Sequence, residues 1–253
     1  MPVDLEFARE RLRAAVDKAK WSGNVPFPPP FVLAPDGRTD PPLARLIQGG
    51  RGGEVRLRLY LCITMMATRR PYDIVSPPNP NIWAQLLALP QDAGRRRVSS
   101  NLKWLAEKHY IALQPRPGRP ASITLLDPAL SGDPYVRPIE QGRYVGVPVE
   151  LWRNGWILAL SATALALLFA LIEHQGGYQH ARYVVKQRRE RYGLSPDTWT
   201  LARKELEKHK LLIVGRTPQG SDFDYRRMRN TYWLDLDMLK SSSPGYEPTI
   251  PVG

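Results

Sequence analysis

Apolar and polar positions alternate along most of this chain with the periods of helices and strands, but one stretch has no polar face. WILALSATALALLFALI, Trp156 to Ile172, runs seventeen residues without a charge, as either a membrane span or a central helix of a folded domain would. A span needs about 20 apolar residues to cross about 30 Å of hydrocarbon. Ser161 interrupts the run as a candidate helix N-cap. With that cap, Trp156–Leu160 is predicted as an extended lead-in and Ala162–His174 as a helix of about three and a half turns, too short to cross at about 1.5 Å per residue. The pattern therefore predicts a buried core helix.

LYLCITMMA holds the matching place in an earlier block. There, EVRLRLYLCITMMATR (Glu54 to Arg69) is predicted as a buried helix and NIWAQLLALP as a short helix closed by Pro90 and the turn QDAG. RRRVSSNLKWLAEKHY follows as a third helix with Val98, Leu102 and Leu105 on one face. IALQ and ASITLL are strands around the tight turn PRPGRP. The later block repeats the order: SATALALLFALIEH, HARYVVKQRRERYG and LSPDTWTLARKELEKHK are its helices, the last with Ser195 as N-cap and Pro196 at the first position. LLIVG and NTYWLDL flank a longer hairpin tip, RTPQGSDFDYRRMR. Leu105 and Leu206 occupy the same place, followed by His109, Tyr110, Ile111 and by Lys210, Leu211, Leu212, so the repeat has a period of about 101 residues.

Outside the blocks, Leu5, Leu12, Ala15, Val16 and Ala19 recur at helical spacing, an amphipathic arm with no secretory-signal pattern. Asn24 to Pro42 is rich in proline, which neither continues a helix nor pairs inside a sheet, and is predicted as an extended linker or surface strap. The resulting division is an arm and linker (1–42), a first domain (43–127), a linker (128–144), a second domain (145–240) and a disordered tail (241–253). The fold class is mainly α with small β-hairpins, an α+β chain.

Charge adds a partner to this picture. Lys and Arg number 36 against 24 Asp and Glu, a formal net charge of +12, which suits a polyanion such as nucleic acid. The excess is +6 over residues 54–127 and +5 over 145–240, so both blocks share it. The lone cysteine, Cys62, lies in an apolar run and reads as a small buried hydrophobe; without a disulfide framework, a reducing, cytoplasmic setting is expected. The histidines His109, His174, His180 and His209 lack metal-ligand spacing, and QGGRGGE lacks the Lys and Ser/Thr of a phosphate-binding loop. No nucleophile, base and orienting group stand together. The expectation is a non-enzyme without metal or small-molecule cofactor.

A helix that reads DNA needs apolar residues on one face and donors on the other. Turning Val98, Leu102 and Leu105 inward leaves Arg95, Arg96, Arg97, Ser99, Ser100 and Lys103 as candidates, with GRRR at the helix start. In the later block Trp199, Ala202 and Leu206 turn inward, leaving Thr198, Thr200, Arg203 and Lys204. Arg116 and Arg119 project from the first hairpin tip, suited to a minor groove or phosphates. Lys186, Arg188 and Arg189 of KQRRER are candidate phosphate contacts, and Arg226 and Arg227 stand in the second tip near Asp222 and Asp224. Trp152 and Trp156 read as hydrophobic anchors.

Helix, helix, turn, helix and β-hairpin, twice over, resembles the tandem winged helix-turn-helix proteins that include plasmid replication initiators. VPVELWRNGWILALSATALALL followed by RYGLSPDTWTLARKELEKHKLL is similar to winged-helix proteins of actinobacterial mobile elements. The resemblance covers about residues 43–240 and is architectural. It implies sequence-specific binding of double-stranded DNA, with the two winged helices in successive major grooves and the first domain able to form a homodimer interface. Replication initiation is the leading role it implies, with transcriptional repression and plasmid segregation as alternatives; from a different class, winged helices also serve as protein-interaction modules.

Overall fold

The computed structural model of the chain describes residues 4–35, 39–49, 51–219 and 227–244. The fold is mixed α+β, about half helical, with small antiparallel sheets. Asp4 accepts a hydrogen bond from the Phe7 amide and opens α1 (Leu5–Ala19), which buries Ala8, Leu12 and Val16 at helical spacing. The proline-rich stretch follows as β1 (Asn24–Phe27), α2 (Pro29–Val32) and α3 (Pro42–Ile47). It is not a surface strap: Val25, Phe27, Phe31 and Val32 are all buried. Proline is tolerated because β1 pairs on one side, with β5 (Val145–Pro148), and because Pro29 and Pro42 open helices whose first N–H groups need no partner.

The same order of elements then occurs twice. The earlier unit runs α4 (Arg51–Met66), β2 (Asp73–Ile74), α5 (Pro80–Leu86), α6 (Gln91–Glu107), β3 (Ile111–Arg116) and β4 (Arg119–Leu125). After β5 come two single helical turns, α7 (Glu150–Arg153) and α8 (Trp156–Ala159). The later unit runs α9 (Ala162–Gln175), β6 (Arg182–Tyr183), α10 (Lys186–Glu190), α11 (Pro196–Lys208), β7 (Leu212–Gln219) and β8 (Arg227–Leu234). The two sheets have the same strand order, β2-β4-β3 and β6-β8-β7, and all pairs are antiparallel. The match extends to single residues. His109 and Lys210 both take left-handed φ, 59° and 58°. The next amides, of Tyr110 and Leu211, reach back to the carbonyls of Leu105 and Leu206 at 2.9 and 3.0 Å.

Ser161 caps α9, its Oγ accepting from the Ala164 amide at 3.1 Å. Glu205 of α11 completes the cap, taking the Ser161 amide at 2.7 Å and the Ser161 hydroxyl at 2.6 Å. Every residue of α9 from Ala164 to His174 is buried, which explains its lack of a polar face. Among the described residues no helix is long and apolar enough to cross a membrane. The lead-in differs from expectation, since Trp156–Ala159 is helical rather than extended. Its end is held by the buried Arg58 of α4, which donates to the carbonyls of Leu158 (3.0 Å) and Leu160 (3.2 Å) and pairs with Glu54 at 2.7 Å. Helix-end carbonyls lack intrahelical partners, and a guanidinium meets two at once. Burial lowers the Arg58 pKa, and Glu54 opposes that shift.

A single cluster of buried apolar side chains runs from α1 through both units. Phe27 lies edge-on to Phe169 of α9 at 5.0 Å, and Phe31 stacks on Tyr60 of α4 at 5.2 Å, so the proline-rich stretch fills the seam between them. Trp152 and Trp156 are buried as expected, and Trp156 Nε1 donates to the Ser241 carbonyl at 2.9 Å. Arg9 donates to Ser243 Oγ at 2.8 Å. The start of the predicted disordered tail is thus tied down as far as Pro244, and its remainder lies outside the described residues. The helix predicted over His180–Gly193 is an α-helix only at Lys186–Glu190. The run Tyr183, Val184, Val185 favours pleated backbone, and Arg182 and Tyr183 pair with β8 instead.

Candidate nucleic-acid interface

In the earlier unit the candidate interface is built on α6. This helix starts at Gln91, so QDAG is its first turn rather than a connecting turn, and the arginines begin the second turn. Its buried face is Gly94, Val98, Asn101 and Leu105, with Leu102 only half-buried. Gly94 lets α5 come close: a Cβ there would lie 2.8 Å from the Ala84 Cβ. Asn101 donates to the Arg97 carbonyl at 2.7 Å and accepts from Arg56 Nε at 3.3 Å. Arg56 in turn lies over the Trp104 ring at 3.9 Å. The contacts of Arg56 with Asn101 and Trp104, together with the buried Val98 and Leu105, set which face of α6 turns outward. The opposite face presents Arg95, Arg96, Ser99, Ser100 and Lys103, all exposed, with Arg97 half-buried at the edge. Arg95 and Arg96 have no ion-pair partner among the described residues, whereas Lys103 makes a loose pair with Glu107 at 3.7 Å.

The first hairpin turns through Pro117 and Gly118, the glycine at φ 66° where a side chain would be strained. Arg119 is exposed at the tip. Arg116 is not free as expected. It is half-buried and donates to the Val75 carbonyl and to Ser76 Oγ, bracing the hairpin against the segment after β2.

The later unit spends more of its predicted donors internally. α11 begins as predicted, with Ser195 Oγ accepting from the Thr198 amide at 3.1 Å and Pro196 in the first turn, and it buries Trp199, Ala202 and Leu206. Thr198 Oγ1 is engaged by the Ser195 hydroxyl at 2.9 Å, Thr200 donates to the Pro196 carbonyl at 2.9 Å, and Arg203 pairs with Glu207 at 3.0 Å. Lys204 remains exposed without an ion pair among the described residues. Lys186 is exposed and 3.9 Å from Glu190, and Arg189 lies over the Trp199 ring at 5.8 Å. Arg188 turns inward, giving two bonds to the buried Glu173 (3.0 and 2.7 Å) and one to Tyr192 Oη at 3.0 Å. Its guanidinium is therefore engaged within the unit and not free, unlike the exposed cation expected there. Arg226 lies outside the described residues, and of Arg227 only the backbone, in β8, is described.

Arg216 of β7 and Lys208 of α11 are also exposed cations, and the sequence pattern did not single them out. Alternation along LLIVGRTPQ does place Arg216 beyond the buried end of the strand. Burial pushes the Cys62 thiol up to about 12, the state of an inert core cysteine. Among the described residues no group of three or more His, Cys, Asp and Glu could hold a metal ion. No family model matches the chain, and no curated protein and no solved structure matches it either.

Proposed function

We propose that the two units are winged helix-turn-helix modules that bind double-stranded DNA, with α6 and α11 as the helices that enter successive major grooves and the two hairpins as wings. The observation that carries this is the outward face of α6, where Arg95, Arg96, Ser99, Ser100 and Lys103 are all exposed on a helix held from behind by its buried face and by Arg56. Arginine meets guanine O6 and N7 with two bonds, and each such pair is worth about 1–3 kcal/mol of discrimination. The donors of α11 are mostly satisfied within the helix, so α6 is the main reader and the later unit chiefly adds affinity. Replication initiation on a plasmid or mobile element is the role we assign, on the sequence resemblance; repression and segregation would use the same surface at other sites.

Salt titration of duplex binding is the test. Exposed cations on the recognition helices and sheets include Arg95, Arg96, Lys103, Arg119, Lys186, Lys204, Lys208 and Arg216. If about six reach phosphates, log K falls against log salt with a slope near about −5; a slope shallower than about −2 would remove the proposal. Footprints on arrays of direct repeats support initiation, and a single palindrome over a promoter supports repression.

A further inference from the structure

We propose that the outer face of the later sheet is a stacking platform for single-stranded nucleic acid. The register fixes what this face carries. Ile213 lies opposite Trp233, Gly215 opposite Thr231, and Thr217 opposite Arg229, while Tyr183 of β6 also lies opposite Thr231. Side chains alternate between the faces of a strand, so Ile213, Trp233, Thr231, Tyr183 and Arg229 share one face. The other face holds Leu212, Leu234 and Tyr232, buried beneath α9 and α11. The outer face is open at Ile213 (56% exposed) and Tyr183 (46%), with Trp233 half-buried beside them and Thr231 buried at the centre. Gly215 leaves its centre flat, and a Cβ there would meet Thr231 Oγ1 at 2.8 Å.

The earlier unit provides an internal comparison. At the ladder positions of Ile213 and Trp233 it has Ala112 and Thr124, and at those of Gly215 and Thr231 it has Gln114 and Ser122. A ring-bearing face in one copy alone is not a requirement of the fold. Charge identifies the occupant. The Arg229 guanidinium lies over the Tyr183 ring at 4.9 Å. Beside it opens a cleft of about 400 Å³ lined by Val185, Lys186, Arg189 and Asn230, and no carboxylate lines it among the described residues. Three cations around one exposed and one half-buried ring suit a polyanion whose bases are unstacked. A duplex hides its base faces within its own stack and gains nothing from Tyr183 or Trp233, whereas a single strand gains from each base it stacks.

Fluorescence anisotropy with the full chain tests this, using a labelled oligothymidylate, which forms no duplex, and separately a random-sequence duplex of equal length. Tyr183→Ala is expected to weaken oligothymidylate binding about tenfold and leave duplex binding unchanged, with Tyr183→Trp restoring it. Ile213→Ser, at an exposed strand position that tolerates polar residues and with no change of charge, is expected to weaken oligothymidylate binding without disturbing the fold. Photocrosslinking of an iodouracil-substituted oligonucleotide should label Tyr183 or Trp233. The proposal falls if the unaltered chain does not bind oligothymidylate, if the variants weaken duplex and single strand equally, or if crosslinks go to α6 or α11 alone. It also falls if Tyr183→Ala dissociates a dimer with no change in oligonucleotide affinity, which would assign the face to a second copy of the chain. The duplex arm reports separately on the function proposed above.

Discussion

Replacing Glu173 with alanine would remove the hub of a buried polar network in the later unit. Its carboxylate accepts from Arg188 at 3.0 and 2.7 Å, from Arg143 at 3.1 Å and from the Tyr192 hydroxyl at 2.7 Å. The Glu173 side chain is 2% exposed, against 29% for Arg188 and 75% for Arg143. Arg143 would return to water, and losing that pair costs little. The Tyr192 hydroxyl proton would be left without an acceptor on a residue 2% exposed, a cost of about 1–3 kcal/mol. Arg188 would lose a two-bond pair; partial exposure reduces that cost to about 1–2 kcal/mol. Together Glu173→Ala should destabilise the chain by about 2–5 kcal/mol, lowering Tm by about 4–20 °C at this chain length. Urea denaturation followed by tryptophan fluorescence measures it. Adding Arg188→Ala should cost less than it does alone, because the unpaired cation is gone. A loss below about 1 kcal/mol, or strict additivity of the two changes, would refute the account of Glu173 as a hub and return Arg188 to the list of free cations.

Alanine at both Arg95 and Arg96 should lower affinity for the preferred duplex site by about 2–6 kcal/mol if both contact guanine, and affinity for random duplex by much less; competition binding measures the difference, and equal losses would make them phosphate contacts. Burial, and then the charges of Arg182 and Arg188, push His174 down to about 4. Its folded pKa thus lies below the unfolded value, so the unfolded chain takes up the proton first. Stability is full above about pH 6.5 and falls by up to about 1.4 kcal/mol per unit as pH drops toward 4; urea midpoints between pH 7 and 5 should show the slope, and His174→Gln should flatten it. With its thiol raised to about 12, Cys62 should react with a disulfide reagent at pH 8 only as fast as the chain opens, so its labelling rate should rise with urea in step with unfolding.

Sequence patterns exposed the repeat because its signals are local. Ser161 and Ser195 announce two helix starts by cap chemistry, and the two copies return to the same left-handed residue, His109 and Lys210, after the third helix. What escaped was set by contacts distant in the chain. Asn101 looks like an outward polar residue, and only Arg56, 45 positions earlier, shows why it faces in. Arg188 reads as a free cation until Glu173 is found beside it, and Arg116 until the Val75 carbonyl is. Prolines between Asn24 and Pro42 marked a break in regular structure, but nothing local says that Phe27 and Phe31 have ring partners in both units. The open face of the later sheet was missed for another reason: alternation separates the two faces of a strand, but only the pairing of three strands puts Tyr183, Thr231 and Ile213 in one plane.

The rings of Phe27 and Phe31, wedged between Tyr60 and Phe169, constrain how a lineage carrying this chain can change. Copies of a repeat that fold alone can be shuffled, added or lost one at a time. Here, loss of either copy would uncover a ring of the proline-rich stretch that packs on it, Phe31 on Tyr60 or Phe27 on Phe169, at a cost of about 1.5–3 kcal/mol for each large side chain uncovered. Substitution is thus cheaper on the exteriors, on α6 and α11 or the two sheet faces, than any change in the number of copies or the distance between them.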